Sequence, residues 1–583
     1  MIRRIITLTL AVALLLGLFV GCANNGGSAA TTAAATTAAA TTAAAATTAA
    51  AATTAASTAA AVTTTGAATT AVSATTAPPA DAGLDEVDLV WWNRTAQFNP
   101  STATPTKLEV GEWLQDYFKD KINANVEYKW YGTSEYDQKA SAAMAAGEQM
   151  DVVFTSIGNY LSFPIWSKRN AFADITDLIH EYAEETYTSI PEWVWEAASI
   201  KGRLYAMPTY KDVAVWIGQI YNKTMAQELG VEDEFVNSGW SVYKEMDEFL
   251  YKVKDLRDKA HPDWADTPLD TWYSTMHAYY EADNLASIAY TSIPGTPSFT
   301  EAEFDGGKKV FNVYSTEEYA NAIKLVTRWV EDNIVPYDAK EWDKEGEIKN
   351  SGKMFMRPSW GTVAVEEDEK ISYTEAYADG WKQGYKMPGV AFTYTGYPQA
   401  VMQAIAENSK NKERAMMLLN LVFSDTTVST TLRFGIEGKG WNRVEKDGVT
   451  RVDFKGTYNE DPTTRGKEGF YLWYHAEQGN LFTCLLPLTQ PDNYFEIMDE
   501  ANKTAAVSVN MGFVFDVSPV ENQIAAVTGV VEEYHNDLIL GMTKASDLDA
   551  RIQAFNDKLN ANGAEQIITE AQSQLDAWRA ENG

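Results

Sequence analysis

Three short stretches of this chain carry side chains suited to holding a neutral, hydroxyl-rich molecule. Trp92, Asn93 and Arg94 stand together with Gln97 close behind. Tyr131 opens a second stretch, and Thr155, Ser156, Asn159 and Tyr160 form a third. An aromatic ring covers an apolar C–H face, while amides, hydroxyls and a guanidinium satisfy the hydroxyls around it. A sugar presents that combination. The chain holds 18 Trp and 29 Tyr, more than a core requires, although most of them serve packing, and Trp113, in a helical apolar stripe, is read as core.

Covalent chemistry finds less support. The only histidines are His180, His261, His277, His475 and His535, widely spread, with no H-E-x-x-H and no zinc-ligand spacing, so no metal site is expected. No G-x-S-x-G elbow, G-x-G-x-x-G turn or G-x-x-x-x-G-K-[ST] loop occurs, which argues against a nucleophilic hydrolase and against any nucleotide cofactor. The alternative from another class is a surface-tethered glycoside hydrolase, which needs only two carboxylates at the right separation; 80 acidic residues leave room for a pair, yet nothing singles one out. The formal charge of −33 argues against nucleic acid, which demands basic surface.

The elements that must position the three stretches follow from hydrophobic period. Val87 to Trp92 is strand-like; Val110, Trp113, Leu114, Tyr117 and Phe118 recur as one helical face. Val126, Tyr128 and Trp130 alternate as a strand, and Tyr136, Ala140, Ala143 and Met144 form a second helical face ended by Gly147. Asp151 to Thr155 is a short buried strand. Strand, helix, strand, helix, strand predicts a doubly wound α/β unit with a parallel sheet, whose ligands sit beyond the carboxyl ends of the strands. All three polar-aromatic stretches fall there.

The N-terminus has a different character. Arg3 and Arg4 precede an apolar run from Ile5 to Val20 and then Gly21-Cys22, the pattern of an export signal, too short for a spanning helix. The Gly-Cys junction resembles a bacterial lipobox, with Phe19 where Leu is usual, and implies lipidation of Cys22. Cys484 would then have no disulfide partner and is read as a buried thiol. Residues 29 to about 80 are nearly all Ala and Thr, with Thr pairs every five to six residues, matching no helical period. The segment is read as a disordered tether, closing at Pro78-Pro79 and spanning on the order of 40 Å.

Several motifs resemble those of the extracellular solute-binding proteins, family 1. Ala145-Ala146-Gly147-Glu148-Gln149-Met150-Asp151-Val152 is similar to A-A-G-x-x-P-D-V, with Met150 for Pro. Ala171 to Ile179, Lys201 to Pro208, Tyr221-Asn222-Lys223, Ser351 to Met356 and Ser409 to Ala415 resemble further family segments in the family's order. Gly435 to Trp441 and Gly512 to Val520 narrow the likeness to LipO-type lipoproteins, which carry an extra C-terminal domain of unknown function. There, stripes Leu548, Ile552, Phe555, Leu559 and Ile567, Ile568, Ala571, Leu575, Trp578 predict a helical hairpin turning at Asn562-Gly563.

The resemblance implies a two-lobed, type II periplasmic-binding-protein-like fold with a hinge. Expected divisions are a signal over 1–22, a tether over 23–84, lobe 1 over 85–208 and 350–395, lobe 2 over 209–349 and 396–505, and a C-terminal segment over 506–583 packing on the lobes. Met207 to Lys211 would lie at the first crossing and Thr395 to Gln399 near the return. A carbohydrate, captured by hinge closure and delivered to an ABC transporter permease, is the expected ligand, without cofactor, the protein being monomeric and lipid-anchored on the extracytoplasmic face. A peptide or another small solute is the nearest alternative. The expected ligand contacts are Trp92, Asn93, Arg94, Tyr131, Thr155, Asn159, Tyr210, Trp216, Trp360, Tyr397, Glu437 and Trp441.

Overall fold

A computed structural model of the protein describes residues 83–582, apart from 159, 215–216, 239–245, 270–308, 337–350, 361–382, 387–390, 463, 473–478 and 491. The signal, Cys22 and nearly all of the tether lie outside the described residues. Among those described, no helix is long and apolar enough to cross a membrane.

The first lobe is built around a five-stranded sheet. Within it β1 (Val87–Asn93) pairs in parallel with β2 (Ala124–Trp130), the edge strand, on one side and with β3 (Val152–Thr155), the central strand, on the other. The connecting helices are α1 (Pro105–Ile122) and α2 (Thr133–Ala146). Proline opens α1, the Thr104 hydroxyl caps it by accepting from the Lys107 N–H, and Asn123 ends it at φ 45°. Gly147 ends α2 at φ 70°, a conformation that favours glycine. The stripe Val110, Leu114, Phe118 and Ile122 is buried against the sheet. Asp151, fully buried, accepts from the Val90 N–H at 2.8 Å and from the Ser409 hydroxyl at 2.5 Å. One carboxylate thus ties β1, β3 and a distant turn together.

The sheet is completed by Met402–Ile405, antiparallel to β3, and by Met207–Pro208 at its edge. The second lobe holds a three-stranded sheet in which Ile217–Asn222 lies between Met356–Trp360 and Gln383–Lys386, antiparallel to both. Its core joins Tyr221, Phe235, Phe249, Trp329 and Phe355. These pairings group the strands differently from the expected division. Residues 356–360 and 383–386 belong with the second lobe, because they supply its backbone hydrogen-bond partners. The stretch from 402 belongs with the first: Met402–Ile405 fills a sheet position there, and Ala415, Met416, Leu418, Leu419 and Val422 of the following helix pack into its core.

The chain therefore passes between the sheets after Pro208 and again between Lys386 and Met402. A third passage follows the helix Tyr494–Thr504, where Ala506–Val507 pairs in parallel with Phe392–Thr393. Beyond it the helices Leu548–Ala561 and Ala564–Asn582 form the expected hairpin, with Gly563 at φ 104° in the turn. A third helix, Glu521–Ile539, was not anticipated and packs with them. Leu548, Ile552, Phe555 and Leu559 are all buried, sharing one core with Tyr314, Tyr319 and Ile323.

Candidate functional site

Register decides which side of the first sheet each aromatic faces. Trp91 and Trp92 point oppositely, as successive strand residues must. Trp91 enters the core, edge-on to Trp130 at 5.1 Å, its indole donating to Gln403 Oε1 at 3.1 Å. Trp92 sits instead against Tyr131, ring centroids 5.6 Å apart and 42° between planes. Its Nε1–H is shut off from water and has no acceptor among the described residues. A buried donor without a partner is costly, of order 1–3 kcal/mol.

The neighbouring groups are set by the turns that leave the strands. Asn93 is fully buried; its side-chain oxygen accepts from the Arg94 N–H at 2.7 Å, and its carbonyl accepts from the Tyr131 N–H at 3.0 Å. That pair of bonds places Tyr131 beside the end of β1. The Arg94 guanidinium lies 4.7 Å from the Tyr160 ring centre and 5.1 Å from that of Phe154, close enough for cation–π attraction. Lys139, a residue the sequence reading missed, approaches the Tyr131 ring at 4.2 Å from α2. Its helical position, one turn beyond Glu135, offered no signal.

The third stretch folds back on itself. Thr155 is buried and its hydroxyl donates to the Leu161 carbonyl at 2.6 Å, so it shapes the loop. The Ile157 N–H donates to the Gln399 carbonyl at 2.8 Å, which brings the second passage, with half-buried Tyr397 and its ring partner Tyr394 at 4.8 Å, against this loop. Trp92, Asn93, Arg94, Tyr131, Thr155 and the Tyr397 segment thus gather at the carboxyl end of the first sheet. Asn159 and Trp216 lie outside the described residues, and of Trp360 only the backbone is described, paired with Ile217.

Two expected contacts lie in the interior. Tyr210 is buried, its hydroxyl donating to Asp499 at 2.8 Å and its ring 4.9 Å from Phe482. Burial and the Asp499 carboxylate both raise its phenol well above the ordinary range. Trp441 is buried as well, its indole donating to the Gly435 carbonyl at 2.9 Å. Each ring was drawn inside by apolar area that sequence alone could not assign to a side. Glu437 is exposed and holds Arg443 through both oxygens, at 3.0 and 2.9 Å. Lys439 of the same loop pairs with Glu109 on α1.

Among the described residues no cluster of three or more His, Cys, Asp or Glu could hold a metal ion. The arrangement is one of rings flanked by cations and amides, suited to binding.

Two α/β lobes with the chain passing repeatedly between them define a solute-binding fold. Residues 112–434 match the family described as bacterial extracellular solute-binding protein, and the chain belongs to that family. Residues 509–580 match a domain of unknown function (DUF3502). A carbohydrate ABC transporter substrate-binding protein of Streptococcus pneumoniae serotype 4 is 23% identical over 462 residues, covering 79% of this chain and 86% of that protein. The fold resembles the crystal structure of an N-glycan transport solute binding protein from Streptococcus pneumoniae, with TM-score 0.63, 20% identity and coverage of 85% and 99% of the two chains. It also resembles an HMO-binding, ABC-transporter-associated solute binding protein from Bifidobacterium longum infantis, with TM-score 0.52, 16% identity and coverage of 85% and 99%.

Proposed function

We propose that this protein is a lipid-anchored, extracytoplasmic receptor that captures a carbohydrate, an oligosaccharide rather than a single sugar, and passes it to an ABC transporter permease. The observation that carries the reading is the half-buried Tyr131 ring, backed at the carboxyl end of the first sheet by the nearly buried Trp92, whose indole N–H has no acceptor among the described residues. Rings cover sugar faces, and Arg94, Lys139 and the amides nearby satisfy hydroxyls. The names of the relatives, a carbohydrate-transport receptor and an N-glycan-transport receptor, support the same class. Capture proceeds by closure of the lobes about the three crossing segments, the closed state gaining population because it alone offers both sets of contacts. Micromolar affinity requires only about −8 kcal/mol, which a few stacked rings and hydrogen bonds supply. No bond in the solute is made or broken. Cys22 carries the anchor, and the folded body acts as a monomer.

A thermal-shift screen of the protein against oligosaccharides, with peptides and amino acids alongside, tests this. A sugar at about 100 times its Kd adds about 2.7 kcal/mol of stability, a shift of a few degrees. Stabilisation by peptides alone would move the ligand class, and recovery of cleaved sugar would replace the receptor by an enzyme.

A further inference from the structure

The C-terminal bundle is joined to the two lobes in two physically different ways. Towards the second lobe the junction is an apolar core. Helix Glu317–Glu331 faces both ways: Val326, Trp329 and Val330 lie in the core of the second lobe, while Tyr319 and Ile323 lie in the core of the bundle. Around that helix Lys324 pairs with Asp549 at 2.9 Å, and Asn556 donates to the Tyr314 carbonyl at 2.8 Å. Rings and aliphatic groups packed this way behave as one body.

Towards the first lobe two ion pairs, polar and open to water, span the junction. Lys168 pairs with Asp516 at 2.6 Å, their side chains 57% and 36% exposed. Lys201 pairs with Glu581 at 3.7 Å, with both partners more than half exposed. Asp516 is presented stiffly, because Gln574 of the last helix accepts from its N–H at 2.7 Å and donates to its carbonyl at 2.9 Å. The link between the two regions passes close against the first lobe: Gly512, at φ +90°, would bring an added Cβ within 3.2 Å of the Glu196 carbonyl oxygen. It is also bonded to the second passage, its N–H donating to the Thr395 hydroxyl at 2.8 Å.

We propose that the C-terminal bundle is a strut fixed on the second lobe and latched to the first by the Lys168–Asp516 and Lys201–Glu581 pairs, which part whenever the angle between the lobes changes. An apolar junction on one side makes the bundle move with the second lobe. Exposed ion pairs on the other side shift an equilibrium only a few-fold each, so the latch restrains the lobes without locking them. The matched domain of unknown function thereby acquires a role: it sets the resting angle of the receptor and the ease of leaving it.

Hydrogen–deuterium exchange of the full-length protein tests the proposal without knowledge of the ligand. In Lys168→Glu/Lys201→Glu, exchange at 391–401 and 505–515 rises by about two- to tenfold, while 317–331 and 548–582 keep their protection. Wild-type protein in about 1 M salt changes in the same direction, since screening there acts within about 3 Å. Unchanged exchange at 391–401 and 505–515 under both treatments overturns the latch. Loss of protection at 317–331 together with the crossing segments overturns the strut, because the bundle would then not be held independently of the ion pairs.

Discussion

Asn502 holds Ala214 from the far side of the chain: its side-chain oxygen accepts from the Ala214 N–H at 3.0 Å, while its amide donates to the Lys211 carbonyl at 2.5 Å. Asn502 is fully buried at the end of the helix that leads into the third passage, and the two groups it satisfies belong to the first. Asn502→Ala leaves a buried N–H and a carbonyl without partners, at a cost of about 2–4 kcal/mol. Urea denaturation of the variant measures it. A loss below about 0.5 kcal/mol would show that water replaces the amide and that the crossings are not keyed by this residue.

Tyr131 separates binding from folding better than Trp92 does. Trp92 is nearly buried, so its removal costs several kcal/mol of stability whatever it touches. Tyr131 is half-buried and its placement comes from its backbone N–H. Tyr131→Ala is expected to weaken binding of the sugar found by thermal shift about tenfold or more, with Tyr131→Phe close to wild type. Titration calorimetry reads both, and equal affinity of the alanine variant would remove the platform from the binding site.

Asp151 accounts for the aspartate of the family-like motif in structural terms. It accepts from Val90, Gln149 and Ser409 with no exposed surface. Asp151→Ala strands these donors and is expected to cost about 3–5 kcal/mol, seen as a fall in Tm of the first lobe. Ser409→Ala removes one bond only and should cost about 1–2 kcal/mol.

Phe555 is the central ring of the bundle, fully buried among Tyr314, Tyr319 and Tyr534. Phe555→Ala opens a cavity worth about 3–5 kcal/mol. Because the core is shared with helix Glu317–Glu331, proteolysis should then attack that helix as well as the C-terminal ones. Cleavage confined to 521–582 would argue against a common core.

Cys484 gives a pH signature. Burial raises its thiol, partly offset by the nearby Arg433 guanidinium, from 9.0 to about 11. The folded state therefore keeps its proton where the unfolded state loses it, so this contribution to stability is complete below about pH 8.5 and disappears as the pH rises towards 11. Cys484→Ala should lose less stability than wild type between about pH 9 and 11. In native protein at pH 8 the thiol should resist aromatic disulfide reagents until the chain unfolds; rapid labelling would show that the site is open.

The helices and strands of the first lobe were legible because each pattern is local. The stripes of α1 and α2, the closing Gly147 and the buried run after Asp151 fall where period and cap chemistry place them. The C-terminal hairpin was readable for the same reason. The sheet to which 356–360, 383–386 and 402–405 belong was not. A strand such as Met402–Ile405 is four buried residues whichever sheet it joins, and its partners, Val152–Thr155 and Met207–Pro208, lie far away in the chain.

The site divides along the same line. The residue types at the ends of β1, β2 and β3 followed from sequence alone, because parallel topology sends those loops to one edge of the sheet. Which rings remain available there was decided by packing. Trp92, whose register partner is Lys129, backs Tyr131 just beyond the end of β2, and Tyr131 stays half-exposed, while Tyr210 and Trp441, with the same chemistry, were drawn into the core by neighbours remote in sequence. Hydrophobic period reports that a ring is to be buried. Only the tertiary contacts decide against what, since burial is a sum over neighbours that the chain brings together last.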